Sequence, residues 1–488
     1  MPGGDGTPSQ APDEGVLIRA ENGDVVTFDA TGLTLRLSDT VLADLRRRLP
    51  LAPAAPVAAP DPAPDAADVL GDIDAWGLAQ AGGWHHFTAR LEPGRGARGY
   101  RRPVAGGDII ADAPGPLCAL LALGGARRAG FTPGPPRWRF NVLAPGDHIG
   151  AVGLEGTAEA VRTPGLQHIP HATRESMTAD RLLDWRADRG MGLPLILTRA
   201  ETDNVASIAA LAEGRGYANF LTAVDSLIAA AATLGRRPRV LAVGLDHTLE
   251  DPGTDPDAFV TGLRALMARV EADFNARGLA RPLFLMTFEA GTRARGDQPQ
   301  ILAHERLARA HWPHEVLFSA PGYMFAQDRF GRPLDAARLR MAEMDAHAIA
   351  GHGAGGWRCP LPLLAETEGD GRVIRVTCDA LAPLVIDAGD PLRAGPACGF
   401  GLAGTDARVK GAAVAPDDDR AVLVTLDRPV DGPARLRYAF GAADSPDEYP
   451  ANRGALRDTW AAPALDGQGL LHRWALPAEL PVHPGAGR

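Results

Sequence analysis

The order of apolar and polar positions divides the chain into stretches with different periods. Residues 15–37 alternate with a period of two, and Asn22-Gly23 supplies a hairpin turn, so a small β unit is predicted there. Asp39 is placed to cap a short helix running to Arg48. Ala and Pro dominate 49–67, the composition of a stiff, extended linker. Residues 68–136 keep no clean period. They hold Trp76, Trp84, His85-His86 and a basic Gly-rich run at 95–102, and are predicted only as a mixed region. From 137 the pattern sharpens, with short apolar runs at 138–143, 194–197, 239–245, 283–288 and 316–319. Near them lie helical stripes. One is Phe220, Leu221, Val224, Leu227, Ile228 and Ala231; another is Phe259, Leu263, Leu266, Val270 and Phe274. Continuous apolar strands alternating with amphipathic helices predict a parallel sheet covered on both faces, wound by right-handed crossovers. After about 360 the helical period vanishes. Strand-like runs at 373–377, 421–426 and 434–440, split by turn clusters such as 416–419, predict a C-terminal β-sandwich.

Composition narrows the classes. A chain of 488 residues holds two to four domains, and a hydrophobic share of 45% is enough for real cores. Lys+Arg 50 against Asp+Glu 60 gives a net charge of -10, and with no long basic run nucleic acid is excluded as a partner. Cys118, Cys359, Cys378 and Cys398 are far apart and form no CxxC pair, so they are read as free thiols. No apolar run is long enough for membrane insertion. Residues 1–20 have neither a basic n-region nor an apolar h-region, so no signal peptide is read and synthesis in the cytoplasm is expected. No cofactor and no metal is assigned.

In an open parallel sheet ligands bind at the carboxyl ends of the strands, where the strand order reverses. With the order 2-1-3-4-5 and the run at 138–143 as first strand, the crevice lies between Gly146-Asp147-His148 and Asp246-His247. His148, Asp246 and His247 are therefore expected in one cleft. A metal site built from them with His168 or His171 is set below a strand-end cap for Asp246-His247. Pro313 breaks the helix between His311 and His314, so those two are not expected to share a ligand face.

Four blocks in this order carry a family resemblance. They are Gly146-Asp147-His148, Asn204-Val205-Ala206-Ser207-Ile208 with Leu211 and Gly214, Val243-Gly244-Leu245-Asp246, and Phe330-Gly331-Arg332-Pro333-Leu334 before a helix from Asp335. In them the chain resembles the SGNH (GDSL) hydrolases, in particular the sialate O-acetylesterase-like branch. The resemblance implies an α/β fold over 137–358: a three-layer, doubly wound parallel sheet in flavodoxin-like order. A small N-terminal β attachment unit (1–48) and the linker (49–67) precede it, with the mixed region (68–136) between. A C-terminal β-sandwich (359–488) follows, in which 434–474 resembles a β module of some bacterial and phage-derived members.

The departures matter as much as the likeness. Acyl transfer needs a nucleophile, a base and oxyanion donors. Aligned this way, His148 replaces the serine, Phe330 the final Asp and Pro333 the final His. Ser207 stands where the family has a structural serine. No catalytic residue is assigned, and the expectation is a catalytically inactive carbohydrate binder. His148, Asn204, Asp246, His247 and Arg332 are the polar ligand candidates, with Tyr323 and Trp357 as aromatic platforms. Arg453, Arg457 and Asp458 are read as a structural ion-pair network. The N-terminal unit, the linker and the phage-like C-terminal resemblance together suggest a receptor-binding spike or fibre of a phage or gene-transfer-agent particle. Residues 1–48 would bind other particle proteins, and the spike would dock on cell-surface polysaccharide after release by lysis. A homo-oligomer is left open, since no heptad supports one. The alternatives are a carbohydrate O-acetylesterase rebuilt around His148 and Asp246, and a cytoplasmic scaffold.

Overall fold

The computed structural model describes residues 69–485 except 155–158 and 355, and before them residues 15–19, 25–29, 32–36 and 41. Two compact units are present, Met1–Pro64 and Asp65–Arg488. In the first, β1 (Gly15–Arg19), β2 (Val25–Asp29) and β3 (Gly32–Arg36) form an antiparallel sheet in that order, as the alternation predicts. The Asn22-Gly23 turn, most of the helix from Asp39 and the linker lie outside the described residues.

The second unit opens with β4 (Ala75–Ala81), β5 (Trp84–Ala89), β6 (Arg98–Pro103) and β7 (Ile110–Ala111), a four-stranded antiparallel sheet. Strand β8 (Leu117–Gly124) follows, and all eight of its residues are buried. Next come β9 (Phe131–Pro133), β10 (Val142–Pro145), β11 (Val152–Leu154), β12 (Leu166–His168) and β13 (His171–Thr173). Helices and strands then alternate. They are α1 (Arg174–Asp188), β14 (Leu195–Thr202), the short α2 (Ile208–Leu211), α3 (Arg215–Thr233) and β15 (Pro238–Asp246). After them come α4 (Pro256–Ala276), β16 (Phe284–Phe288), α5 (Pro299–Arg309), β17 (Val316–Pro321) and α6 (Asp335–Gly353).

The main sheet runs β12-β10-β14-β8-β15-β16-β17, with β11 paired to β14. All its pairings are parallel except β10 with β12. Within it, β14-β8-β15-β16-β17 has the expected order 2-1-3-4-5. The first strand, however, is β8 and not the run at 138–143, which became an added strand next to the edge. The α/β sheet thus starts inside the stretch assigned to a mixed region. The apolar run 117–123 was the signal: a strand buried on both faces needs no alternation.

Both faces are covered. Cys118 and Leu120 of β8 join one core with Leu183 of α1 and Met341 of α6. Leu117, Ala119, Leu121 and Leu123 join the other, with Phe220 of α3, Phe259 and Phe274 of α4, and Phe87 and Tyr100 of the β4–β7 sheet. The apolar stripes read on 220–231 and 259–274 are the buried faces of α3 and α4.

The C-terminal region is β throughout. A seven-stranded sheet holds β18 (Leu361–Glu368), β19 (Val373–Asp379), β21 (Phe400–Ala403), β22 (Val409–Ala415), β23 (Asp418–Leu426), β24 (Arg435–Tyr438) and β27 (Ala478–His483). Strands β20 (Leu384–Ile386), β25 (Leu456–Pro463) and β26 (Leu470–Trp474) form a smaller sheet. Ile374, Val376, Val422, Val424 and Leu436 belong to the same core as α1 and α6. This β region therefore shares a hydrophobic interior with the α/β sheet and is not a separate compact unit.

Candidate functional site

Strand β8 ends at the point where strand order reverses, beside β15. It runs into Gly124-Gly125-Ala126-Arg127-Arg128, a turn with no hydroxyl or thiol. The turn closes on β15, with Gly125 N donating to the Asp246 carbonyl at 3.0 Å. A Cβ on Gly124 would strike that same carbonyl, and one on Gly125 would overlap the Glu250 carboxylate. Glu250 also accepts the Ala126 N–H at 2.6 Å. Bare backbone is thus required here so that a carboxylate of the chain itself can sit on the turn.

The two arginines of the turn go opposite ways. Arg127 grips Glu289, the residue after β16, at 2.6 and 3.2 Å. It also donates to Thr248 Oγ1 at 2.9 Å and to the Gly331 carbonyl at 3.2 Å. Glu289 accepts the Ala290 and Gly291 N–H groups as well. Burial works to raise its pKa, but Arg127 outweighs that and holds the carboxyl below the usual range. Arg128 lies flat over Gly244, where a Cβ would come within 2.7 Å of its guanidinium. It pairs with Glu175 at 2.8 Å and with Asp246 at 2.9 Å. Asp246 pairs in turn with Arg174 at 2.9 Å, and Arg174 with Asp345 at 2.6 Å. These five side chains are 2–4% exposed.

Local sequence places the chain of charges. Thr173 and Ser176 make a reciprocal capping box that starts α1, which sets Arg174 and Glu175 in its buried first turn. A cation is unfavourable at a helix N-terminus. Burial alone would also lower the Arg174 pKa, yet Asp345 and Asp246 overcome it and keep the guanidinium firmly protonated. His247 is fixed by its Nε2 at 2.8 Å from the Ala206 carbonyl, which ties the loop after β14 to β15. His304 Nδ1 accepts the Glu289 N–H at 2.9 Å. Burial pushes the His304 imidazole down to about 4, against the pull of Glu289 and Asp246.

The predicted residues scatter. Asp246 and His247 reach the crevice, both 4% exposed, as internal struts. Arg332 is exposed on the final loop, whose Gly331 carbonyl receives Arg127, so that loop does close on the crevice. Asn204 is exposed after β14. His148 is exposed after β10 with φ 65°, three strand positions from β15, about 14 Å at ordinary strand spacing. Its neighbour Asp147 is an anchor, paired at 3.2 Å with Arg199 of β14. The pairing of His148 with Asp246 is therefore corrected: a wrong first strand put them together. Tyr323 is fully buried and donates to the Ala475 carbonyl at 2.5 Å. Trp357 is 7% exposed and donates to the Ser319 carbonyl at 3.1 Å. Tyr323 has no free face and is no platform, whereas the small exposed edge of Trp357 lies in the wall of a groove along β17, away from the strand-end crevice.

His168 Nε2 contacts the Ile109 carbonyl at 2.6 Å, and His171 stacks on Phe131. Among the described residues no group of three or more His, Cys, Asp and Glu is arranged to hold a metal ion. Ser207 caps α2. Arg453, Arg457 and Asp458 are paired with Asp447, Asp387 and Arg473. The residues missed were Arg127, Arg128, Arg174, Glu250, Glu289 and Asp345. Only the Gly-Gly-x-Arg-Arg after the run 117–123 was visible as a signal.

No protein-family model and no curated protein matches the chain. Among solved structures, it is similar to a carbohydrate acetylesterase from Xanthomonas citri, at 15% identity over 79% of this chain and 85% of that one, with a TM-score of 0.46. It is also similar to the N-terminal part of a bacterial S-layer protein, at 17% identity over 46% of this chain and 38% of that one, with a TM-score of 0.17.

Two outcomes follow from the network. Asp246→Ala leaves Arg128 and Arg174 facing each other without their shared carboxylate, and should lower stability by about 3–5 kcal/mol in urea unfolding. His304 is neutral when folded down to about pH 4, whereas an unfolded histidine takes up a proton near 6.5. The unfolded state then holds more protons, so stability falls as pH drops from 6.5 towards 4. His304→Gln should make that fall shallower, by up to about 1.4 kcal/mol per pH unit. An unchanged slope would show that His304 is not the group responsible.

Proposed function

We propose that the protein is a non-hydrolytic carbohydrate-binding protein on an esterase-like α/β scaffold. The observation that carries this reading is the occupied crevice. Where acyl transfer would need a nucleophile, the turn after β8 has glycine, alanine and arginine. The Ala126 N–H, a donor of the kind an oxyanion needs, already faces the Glu250 carboxylate. A second negative oxygen there would be repelled. His247 and His304 are both held by backbone groups. The rival site around His148 and Asp246 loses its support, because Asp246 is bound between two arginines.

The finer reading is a receptor-binding spike or fibre of a phage-like particle that recognises cell-surface polysaccharide. It is supported by the separate compact unit Met1–Pro64, which suits attachment to other particle proteins. A mass-spectrometric search of purified particles from the producing cells should find this chain, and its absence would end the spike reading.

The activity test is hydrolysis of p-nitrophenyl acetate by the full chain and by His148→Ala. Rates equal to buffer in both are expected. Turnover in the wild type would refute the non-hydrolytic reading, and its loss in the variant would return His148 to a catalytic role.

A further inference from the structure

A second concavity lies on the far side of the sheet's edge strand, away from the charged crevice. It runs between the first half of β17, the last turn of α5, the end of α6 and the segment 356–361 that leads into β18. Its volume is about 490 Å³, within the range of about 300–1,000 Å³ usual for small-molecule sites. It also sits where the α/β sheet meets the β region, a common place for ligands.

The lining has two chemistries. Leu307, Leu317, Phe318, Leu361 and Leu476 give an apolar floor, all of them buried. Trp312 stands half-buried at the wall, its indole N–H tied to the Leu307 carbonyl at 2.9 Å and Arg264 4.3 Å from its ring. The rim is polar. Arg358 is paired with Asp379, and His352 lies 2.9 Å from Glu315. Exposed His311, together with His314 and Arg309, completes it, Arg309 being paired with Glu305 at 2.8 Å.

Paired rim charges bear on the ligand's charge. A guanidinium has five N–H donors and a carboxylate about four acceptor sites, so one contact leaves most of them unused. Arg358 and Asp379 remain 53% and 34% exposed. They therefore present planar donors and acceptors while carrying no net charge as a pair. That combination suits hydroxyl groups, which both donate and accept, better than an anion. The net charge of -10 adds a long-range repulsion against polyanions. An indole beside an apolar floor suits the C–H face of a sugar ring.

We propose that this groove is a binding site for a neutral saccharide, held by Trp312 and the Arg358–Asp379 pair. The ligand class rests on the carbohydrate reading given above; the location rests on the groove alone.

The test is calorimetry on the full chain with cellohexaose, maltohexaose and mannohexaose, and with hyaluronan hexasaccharide as the anionic probe. Ala310→Trp fills the groove from an exposed position, and Asp379→Asn unbalances the pair without changing its shape. Arg420→Ala alters an exposed residue of β23 outside the groove instead. At least one neutral hexasaccharide should bind the wild type, with affinity at least tenfold weaker in Ala310→Trp and Asp379→Asn and unchanged in Arg420→Ala. Equal binding by wild type and Ala310→Trp would overturn the groove and leave the carbohydrate reading standing. Binding of the hyaluronan probe alone would overturn the neutral ligand. No binding of any probe would overturn both.

Discussion

Asp246 closes the carboxyl end of β15 with one carboxylate oxygen 2.9 Å from both Arg128 and Arg174, while the other accepts the Thr287 N–H. Four elements meet on that group: the turn after β8, the first turn of α1, the end of β15 and β16. Asp345 extends the chain of charges to α6. Ions taken out of water are costly, and a buried pair is stable only when its remaining donors and acceptors are also met. Here they are met in part: Asp246 has three partners and Arg174 takes both oxygens of Asp345, while the second oxygen of Glu175 has no hydrogen bond. The arrangement need not add much net stability to be decisive. It makes any other placement of these elements expensive, since moving one strands a charge in the interior.

The same constraint shapes what the crevice can do. A fold of this order offers its strand ends to ligands. In this chain that place is taken by side chains that satisfy each other. Arg127, Glu289, Thr248 and the Gly331 carbonyl form a second closed set beside the first. On the proposed binding reading, recognition falls to surfaces that the network does not consume, such as the groove along β17. That groove exists because the C-terminal strands pack onto the α/β sheet through a shared core, with Tyr323 and Tyr438 buried where the two regions join.

Sequence legibility followed burial symmetry. Helices α3 and α4, with one wet face each, were readable from their stripes, and β15, β16 and β17 from apolar runs set between helices. Strand β8 was equally apolar but came after a β sheet with no helix before it, so the alternation that marks a doubly wound fold began one strand too late. That single shift moved the expected crevice to His148. It also hid Arg127 and Arg128, which read as an ordinary basic turn.

By itself the sequence determined the class: parallel strands alternating with helices, the 2-1-3-4-5 logic, an N-terminal β unit and a β-rich C-terminal region. These are matters of period and order, which local composition carries. Which strand is first, which carboxylate meets which arginine, and whether Tyr323 and Trp357 show a face to solvent were decided only by the tertiary structure. Charges such as Arg174 and Asp345, 171 residues apart, have no local signature. Their meaning comes from losing water together, and only the folded chain brings them close enough to do so.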